Sequence, residues 1–470
     1  MSELHDLTVV EQCQHLRDRT VGAQELLEHY LKRIDAHGEA LGAFVTLTPE
    51  LAHAEAAAAD RRRATEAPGD LPALLGLPLA YKDLHPVRGV VGTFGSKPLR
   101  TQVSQVDGEC VAAFRRAGAV TVGTTHAPEF GPTCYTESDF GLRPAVTPYD
   151  TSRYASGSSG GAAAAVAAGL VPAAHASDGA GSIRTPASVC GLVGFKPSRG
   201  MVPVSGPSFI SWTVEGPITR TVADAALLTG VLAAGSPHDL YRVESTLDAP
   251  VPSGPARILA YSDPGIGTCD TDVLASFDTA VRALEALGHE VHVAVNPRPW
   301  DDALVDAMLR LFASTVTATS RRLVPPDRWP ELRQFTRWCQ EAVSGLDSAD
   351  LALAQAVLAQ AAGVHAAAAL PYDFVLTPTT ARPAELVGAF DADDLHGVVR
   401  RMLEWSAFTP WANMTGAPAL ALPVSLSRGG LPVGVQVCGR RPGTDASVLA
   451  LGEALEASLT WDHHPPQWAS

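Results

Sequence analysis

Ser177-Asp178-Gly179-Ala180-Gly181-Ser182-Ile183-Arg184-Thr185-Pro186 is the stretch on which the fold and the chemistry turn. Asp-Gly by itself makes a tight turn between elements. The small residues that follow allow more than a turn. The N–H groups of Gly179, Ala180, Gly181 and Ser182 can aim at one point, the arrangement an oxyanion hole needs beside a nucleophile. Small side chains also let a substrate carbonyl approach the main chain. On this reading Ser182 is the candidate nucleophile, and a serine hydroxyl still needs a base.

Upstream lies Tyr154-Ala155-Ser156-Gly157-Ser158-Ser159-Gly160-Gly161, running into the Ala-rich, helix-forming segment 162–168. One reading is a flexible linker. Another is a glycine-rich approach to a helix N-terminus, with N–H donors facing a bound group. A third is the G-x-S-x-G elbow of α/β-hydrolases with Ser159 as nucleophile. The elbow needs a strand just before it, and residues 147–154 read as a turn. It also needs a late histidine base, and His463 and His464 stand in a polar, Pro-flanked tail.

Further upstream, Leu75-Gly76-Leu77-Pro78-Leu79-Ala80-Tyr81-Lys82-Asp83 ends an apolar run on a lysine. Lysine is disfavoured there unless it snorkels or pairs with Asp83. To act as a base near pH 7 it must be neutral. That requires a pKa drop of roughly three units, about 4 kcal/mol, supplied by burial.

The rest of the chain bounds the answer. Of 470 residues, 46% are apolar or aromatic and 18% charged, enough for a large core and unlike a disordered chain. Net charge is −15 with no long basic run, which argues against nucleic acid as the main partner. Seven scattered cysteines without a CxxC argue against a disulfide framework or structural zinc, and no metal or cofactor is expected. The first twenty residues lack an apolar signal core, and no membrane-spanning stretch is read; the nearest, 162–176, is short and Ala/Gly-rich. A cytoplasmic protein is the expectation.

Residues 1–60 read as helices, with Thr8 and Thr20 as N-caps and Leu26, Leu27, Tyr30, Leu31 and Ile34 on one face. Strands are expected at 77–81, 119–123, 257–261, 289–295, 374–377 and 433–439. Helices are expected at 110–117, 222–232, 273–287 and 446–458, with a helical section over 301–370 and a break near 233–256. The alternation predicts an α/β protein with a mixed central β-sheet covered by helices on both faces. No internal repeat and no convincing linker divides the chain.

Taken together, these segments resemble the amidase signature family along essentially the whole chain. Leu77-Pro-Leu-Ala-Tyr-Lys-Asp83 is similar to its lysine strand, Gly157-Ser-Ser-Gly-Gly161 to its serine-glycine loop, and Asp178-Gly-Ala-Gly-Ser-Ile-Arg-Thr-Pro-Ala187 to its nucleophile loop. Gly191-Leu-Val-Gly-Phe-Lys-Pro197, Gly216-Pro-Ile-Thr-Arg220, Leu376-Thr-Pro-Thr379, Asn413-Met-Thr-Gly416 and Leu431-Pro-Val-Gly-Val-Gln436 repeat family phrases in order. The resemblance implies one amidase-signature domain over 1–470, with helices 1–60 packed on it and 300–370 as a helical insertion at the substrate pocket.

It also implies roles. Ser182 attacks the carbonyl and forms an acyl-enzyme, Ser158 relays its proton across a cis Gly157–Ser158 bond, and neutral Lys82 is the base. Gly179, Ala180, Gly181 and Ser182 form the oxyanion hole, and Ser159, Asp178 and Arg184 brace the two loops. The chain departs from the family at Ala180, where glycine is usual, and at Leu84, Pro86 and His126. A methyl at 180 requires a negative φ.

The implied activity is hydrolysis of a small-molecule amide, with ester or carbamate (urethane) cleavage a close extension. Alternatives are the glutaminase component of a tRNA-dependent amidotransferase and a member that has lost catalysis and only binds. The former usually carries Gln where Thr185 stands and Arg-Tyr-Gly where Met201 begins a different phrase. Pocket walls are expected at Phe130, Tyr135, Phe209 and Trp212, with Trp300, Phe312, Phe335 and Trp338 behind them, which favours an apolar or aromatic substrate. A homodimer is common in the family.

Overall fold

The computed structural model describes residues 3–203, 212–233 and 254–461, with positions 243, 247, 465 and 468. Phe209, His463, His464 and most of the break near 233–256 lie outside the described residues.

The strands are β1 (Phe44–Leu47), β2 (Pro78–Lys82), β3 (Val120–Thr125), β4 (Val146–Thr147), β5 (Asp150–Tyr154), β6 (Ala174–Asp178), β7 (Val193–Lys196), β8 (Val214–Thr219), β9 (Arg257–Ala260), β10 (Glu290–Val293), β11 (Phe374–Pro378), β12 (Ala419–Leu426) and β13 (Pro432–Gly439). Eleven form one sheet in the order β1-β3-β2-β6-β8-β7-β12-β13-β11-β9-β10, while β4 and β5 make a separate ribbon. Pairing is parallel for β3-β2-β6 and for β11-β9-β10, and antiparallel in between and at β1. The mixed sheet expected from the sequence is therefore present.

The period of two in the strands sorts the core into layers. Leu420, Leu422, Val424, Val435 and Val437 pack with Phe277 and Leu284 of helix Thr271–Ala286 and Val448 and Leu455 of helix Asp445–Ser458. Gln436, between two of those valines, instead meets Arg184 at the start of helix Arg184–Val189. So helices cover both faces, and the short one follows the loop 178–183.

At the N-terminus, Thr8 caps helix Val9–Asp18: its hydroxyl accepts from Glu11 N at 3.1 Å, and Glu11 accepts from Thr8 N at 2.8 Å. Thr20 is not a cap. The next helix, Ala23–His37, begins after Gly22, because the Asp60 carboxylate takes the N–H groups of Ala23 (2.8 Å) and Gln24 (3.1 Å). Nor are residues 1–60 all helical, since β1 pairs antiparallel with β3. Residues 150–154, expected as a turn, form β5, which lies outside the central sheet.

The 301–370 section consists of Asp302–Leu323, Gln334–Ala342 and Ser348–Ala369, the first packing on the other two. Ser348–Ala369 is long and apolar enough to cross a membrane by length and composition, a property the sequence pattern suggested for no segment. Its alanines create that character; the charge of Asp350 and the packing on Asp302–Leu323 are those of a core-flanking helix.

Candidate active site

Lys82 is the last residue of β2, one strand from β6, which ends at Asp178. Its side chain is wholly buried. Nζ lies 2.9 Å from Ser158 Oγ, 3.1 Å from Ser177 O and 3.1 Å from Ser177 Oγ. Burial lowers its pKa to about 7, against the pull of the Asp178 and Glu215 carboxylates. A neutral amine has two hydrogens and one lone pair. Nζ can donate at all three contacts, and when deprotonated its lone pair can accept from a neighbouring hydroxyl, that of Ser158 or that of Ser177.

The serine-glycine loop is held by close backbone approach. The Gly157–Ser158 peptide bond is cis. A Cβ at Gly157 would lie 2.7 Å from Thr133 O and Tyr135 N, so no other residue fits there without movement. Ser156, at φ +65°, donates to Cys134 O at 3.1 Å, and Thr136 donates to Ser156 O at 2.9 Å. Ser159 starts helix Gly160–Ala167, and its Oγ donates to Ser177 O at 3.3 Å. That bond ties the two loops. A hydroxyl committed inside the protein is poorly placed for the elbow reading.

The loop that carries Ser182 is organised by Asp178. Its carboxylate accepts from Gly181 N (2.6 Å), Ile183 N (3.1 Å), Asn413 Nδ2 (2.9 Å) and Arg184 Nε and Nη2 (2.9 and 3.0 Å). Burial alone would raise its pKa, but the charge and hydrogen bonds of Arg184 prevail and hold it at about 2. Arg184 is itself wholly buried, and its remaining donors reach Thr409 O, Gln436 Oε1 and Asn413 Oδ1. All five of its N–H groups are thus used.

The loop backbone bears on the expected oxyanion donors. Gly181 N–H points at Asp178, so it leaves that set. Gly179, Ala180 and Ser182 N–H groups meet no acceptor among the described residues. Ala180 has no positive φ, which is why its methyl is accommodated. Gly181, at φ +139°, could not carry one: a Cβ would stand 2.3 Å from Thr409 Oγ1, the hydroxyl that bonds Ala180 O at 2.7 Å. Thr185 Oγ1 links the loops again, donating to Gly181 O (3.1 Å) or Gly157 O (3.3 Å).

Ser182 is half-buried and opens on a small cavity that communicates with solvent. Gly157, Ala180, Gly181 and Thr185 form its floor, and Met308, Phe312, Val399, Met402 and Leu403 its apolar wall. Of the expected aromatic wall, Phe312 is there. Tyr135 stacks on Phe390 at 5.3 Å instead, and only the adjoining stretch Pro132–Cys134 reaches the cavity. Phe130 packs beside Leu99 and Leu332, Trp212 packs on the core and its carbonyl accepts from Asn413 Nδ2, and Trp300 packs at a tilt against Trp411. Phe335 and Trp338 are partly buried core residues. Met308, Val399, Met402 and Leu403 escape a reading of the sequence because helical apolar residues that line a cavity look like those that fill a core. Asn413 and Gln436 stand in family phrases, but only the structure reveals that they hold Arg184.

Two groups among the described residues have donor atoms close enough for a metal, Glu3/His5/His29 and His85/His175/Glu215. In both, neighbours already stand at hydrogen-bond separation: His5 to His29 at 3.0 Å and His175 to Glu215 at 2.8 Å.

The sequence model of the amidase family matches residues 25–449. The chain belongs to the amidase family. It is 31% identical to an acylamidase of Rhodococcus erythropolis, over 98% of each chain. It is 34% identical to one component of the glutamyl-tRNA(Gln) amidotransferase of Desulforapulum autotrophicum, over 97% of each. In structure it superposes on a bacterial aryl acylamidase of the amidase signature family with a TM-score of 0.87 at 25% identity, covering 98% of this chain and 97% of that one. Amidase family members act on amides, which places the chemistry in the hydrolase class.

Proposed function

We propose that this amidase hydrolyses an uncharged, apolar or aryl carboxylic amide through Ser182, with Ser158 as proton relay and Lys82 as base. The observation that carries the reading is the 2.9 Å contact between Ser158 and a buried lysine whose pKa is about 7. A lysine held near neutrality inside a protein and bonded to a serine is a general base in waiting.

The steps follow from that contact. As the Ser182 oxygen bonds to the carbonyl carbon, its proton passes to Ser158 and the Ser158 proton to Lys82. The carbonyl π electrons move onto oxygen, where the N–H groups of Ala180 and Ser182, with Gly179 beside them, offset the charge. When the tetrahedral intermediate collapses, the C–N bond breaks and the lysine proton returns through Ser158 to the leaving nitrogen. Water then repeats the sequence on the acyl-enzyme. The same sequence serves an ester or a carbamate.

The substrate class rests on the wall of Met308, Phe312, Val399, Met402 and Leu403. No Lys, Arg, Asp or Glu lines the cavity among the described residues, so nothing there would pair with the charged groups of glutamine. That favours a stand-alone amidase over the glutaminase component of an amidotransferase, although identity to the two kinds of relative is similar. The helical section 302–369 contributes Met308 and Phe312 and is proposed as a pocket-forming insertion. The test is a panel of anilides, aliphatic amides, aryl carbamates and glutamine assayed with the purified chain alone. Turnover of anilides with none of glutamine is expected; glutamine turnover that appears only with partner proteins and tRNA would overturn the reading.

A further inference from the structure

The mechanism makes an ammonium twice per turnover in a position with no solvent exposure. Something must lower the cost of that charge. Asp178 is near, but its carboxylate is matched by Arg184 in a two-pronged ion pair. A second buried acid stands beside it. The β6–β8 register places Glu215 opposite Ser177, whose carbonyl and hydroxyl both contact Lys82.

Two histidines flank Glu215. His175 Nε2 is 2.8 Å from Oε2, and His85 Nδ1 is 3.3 Å from the same oxygen, with the two rings edge to face at 4.7 Å. All three residues are buried. Both ring nitrogens of His85 and Nδ1 of His175 lack a hydrogen-bond partner among the described residues. His85 is joined to the base through the main chain, its N–H donating to Lys82 O at 3.1 Å. Nothing in the reaction scheme uses this cluster.

We propose that Glu215, held by His175 and flanked by His85, is a positioning residue for Lys82: its negative charge stabilises the lysine ammonium formed during acylation and deacylation. The inference rests on the reading of Lys82 as the base. Among the described residues, the groups facing the lysine are Asp178 from β6, Glu215 from β8 and His85 from the turn after β2, while His175 of β6 faces Glu215 and His85. Cys110, from helix Glu109–Arg116, faces Glu215. Burial holds His85 neutral, with a pKa of about 3, and keeps the Cys110 thiol protonated, so neither adds charge at neutral pH. Asp178 and Glu215 are the two carboxylates that raise the proton affinity of Lys82.

The test compares Glu215→Gln and Glu215→Asp with the wild type, using kcat and KM for an anilide from pH 5 to 9. Labelling of Ser182 by a fluorophosphonate and thermal unfolding are measured alongside. Removing the carboxylate lowers the proton affinity of Lys82, so the acid limb of kcat/KM should move about one unit lower in E215Q. The plateau of kcat should fall about tenfold or more with KM little changed, because the ammonium loses its counter-charge. E215D should return the limb toward wild type even if it melts as low as E215Q. Labelling of folded E215Q that carries the shifted limb supports the proposal. An unshifted limb in folded, labelled protein, or a loss of activity that simply tracks unfolding in both variants, would overturn it. So would stoichiometric zinc by elemental analysis, which would make the cluster a metal centre. Failure of wild-type protein to label or to turn over any amide would instead count against Lys82–Ser158–Ser182 catalysis itself.

Discussion

Lys82 Nζ and Ser158 Oγ stand 2.9 Å apart, the lysine wholly buried and the serine nearly so. This pair makes the pH dependence calculable. With neutral Lys82 as the proposed base and its pKa at about 7, kcat/KM should rise with pH through about 7. Below that it should fall about tenfold per unit as the amine protonates. An acid limb near the ordinary lysine value of 10.5, or none at all, would sink Lys82 as the base.

Replacing Lys82 sharpens the point. Lys82→Met keeps the volume and removes the lone pair, and should lower kcat/KM by about a thousandfold or more, in the upper range of general-base effects. Lys82→Arg should be no better, since a guanidinium stays protonated at any working pH. Recovery of activity in the arginine variant would mean that charge, and not proton transfer, is what position 82 supplies.

The nucleophile loop offers a paired test on adjacent residues. Gly181→Ala puts a Cβ 2.3 Å from Thr409 Oγ1 at φ +139°, and should lower stability by about 1–3 kcal/mol and abolish most activity. Ala180→Gly meets no such constraint and should leave kcat/KM within about threefold of wild type, since only a methyl is lost from a permissive backbone position. Unfolding midpoints and kcat/KM for both variants check the pair; equal damage at both positions would contradict the loop geometry.

How much of the molecule is legible in the chain alone differs by element. Much of the sheet's periphery is legible, because β2, β3, β9, β11 and β13 are short apolar runs and β10 alternates beside a recognisable helix, whereas the edge strand β1 is hidden among helices. The middle is not. β6, β7 and β8 run through residues such as His175, Ser177, Gly194, Glu215 and Pro217, whose polar or small side chains hide strands that are wholly buried. Polar residues there serve the site, and the pattern of a core strand is lost for that reason. Lys82, Ser158 and Ser182 are legible through ordered phrases spread along the chain, whereas the cavity wall is not, since Met308 and Met402 come from helices that also build core. Thr20 fails as a cap because Asp60, distant in sequence, takes the N–H groups instead.

The Asp178–Arg184 pair predicts an acid transition. The carboxyl is held at about 2 in the fold, against an ordinary value of 3.8. A depressed pKa means stability that is fully present above the unfolded value and lost as pH falls from about 4 toward about 2, in all about 2 kcal/mol from this group. Arg184→Ala leaves the Asp178 carboxylate buried without its partner and should cost about 3–5 kcal/mol at neutral pH. The double variant Asp178→Asn with Arg184→Ala should cost less than the sum of the two single changes, because the second removes a charge the first has stranded. Urea unfolding of all three at pH 7 and pH 3 measures both effects, and additive losses would show that the pair is not coupled.

The cavity wall predicts how the enzyme chooses its substrate. Phe312 is the one aromatic residue lining the cavity with Ser182 among the described residues. Phe312→Ala should raise KM for a bulky anilide by about tenfold or more, the transfer energy of several lost carbon contacts, while KM for a small aliphatic amide changes little. Leu403→Arg brings a cation into a wall that has none, and should weaken anilide binding while admitting an amide that bears a carboxylate. The discriminating quantity is the ratio of kcat/KM for the two substrates in each variant. If Phe312→Ala changes both substrates equally, the ring serves the core and not the substrate, and the apolar specificity must be carried by Met308, Met402 and Leu403 instead.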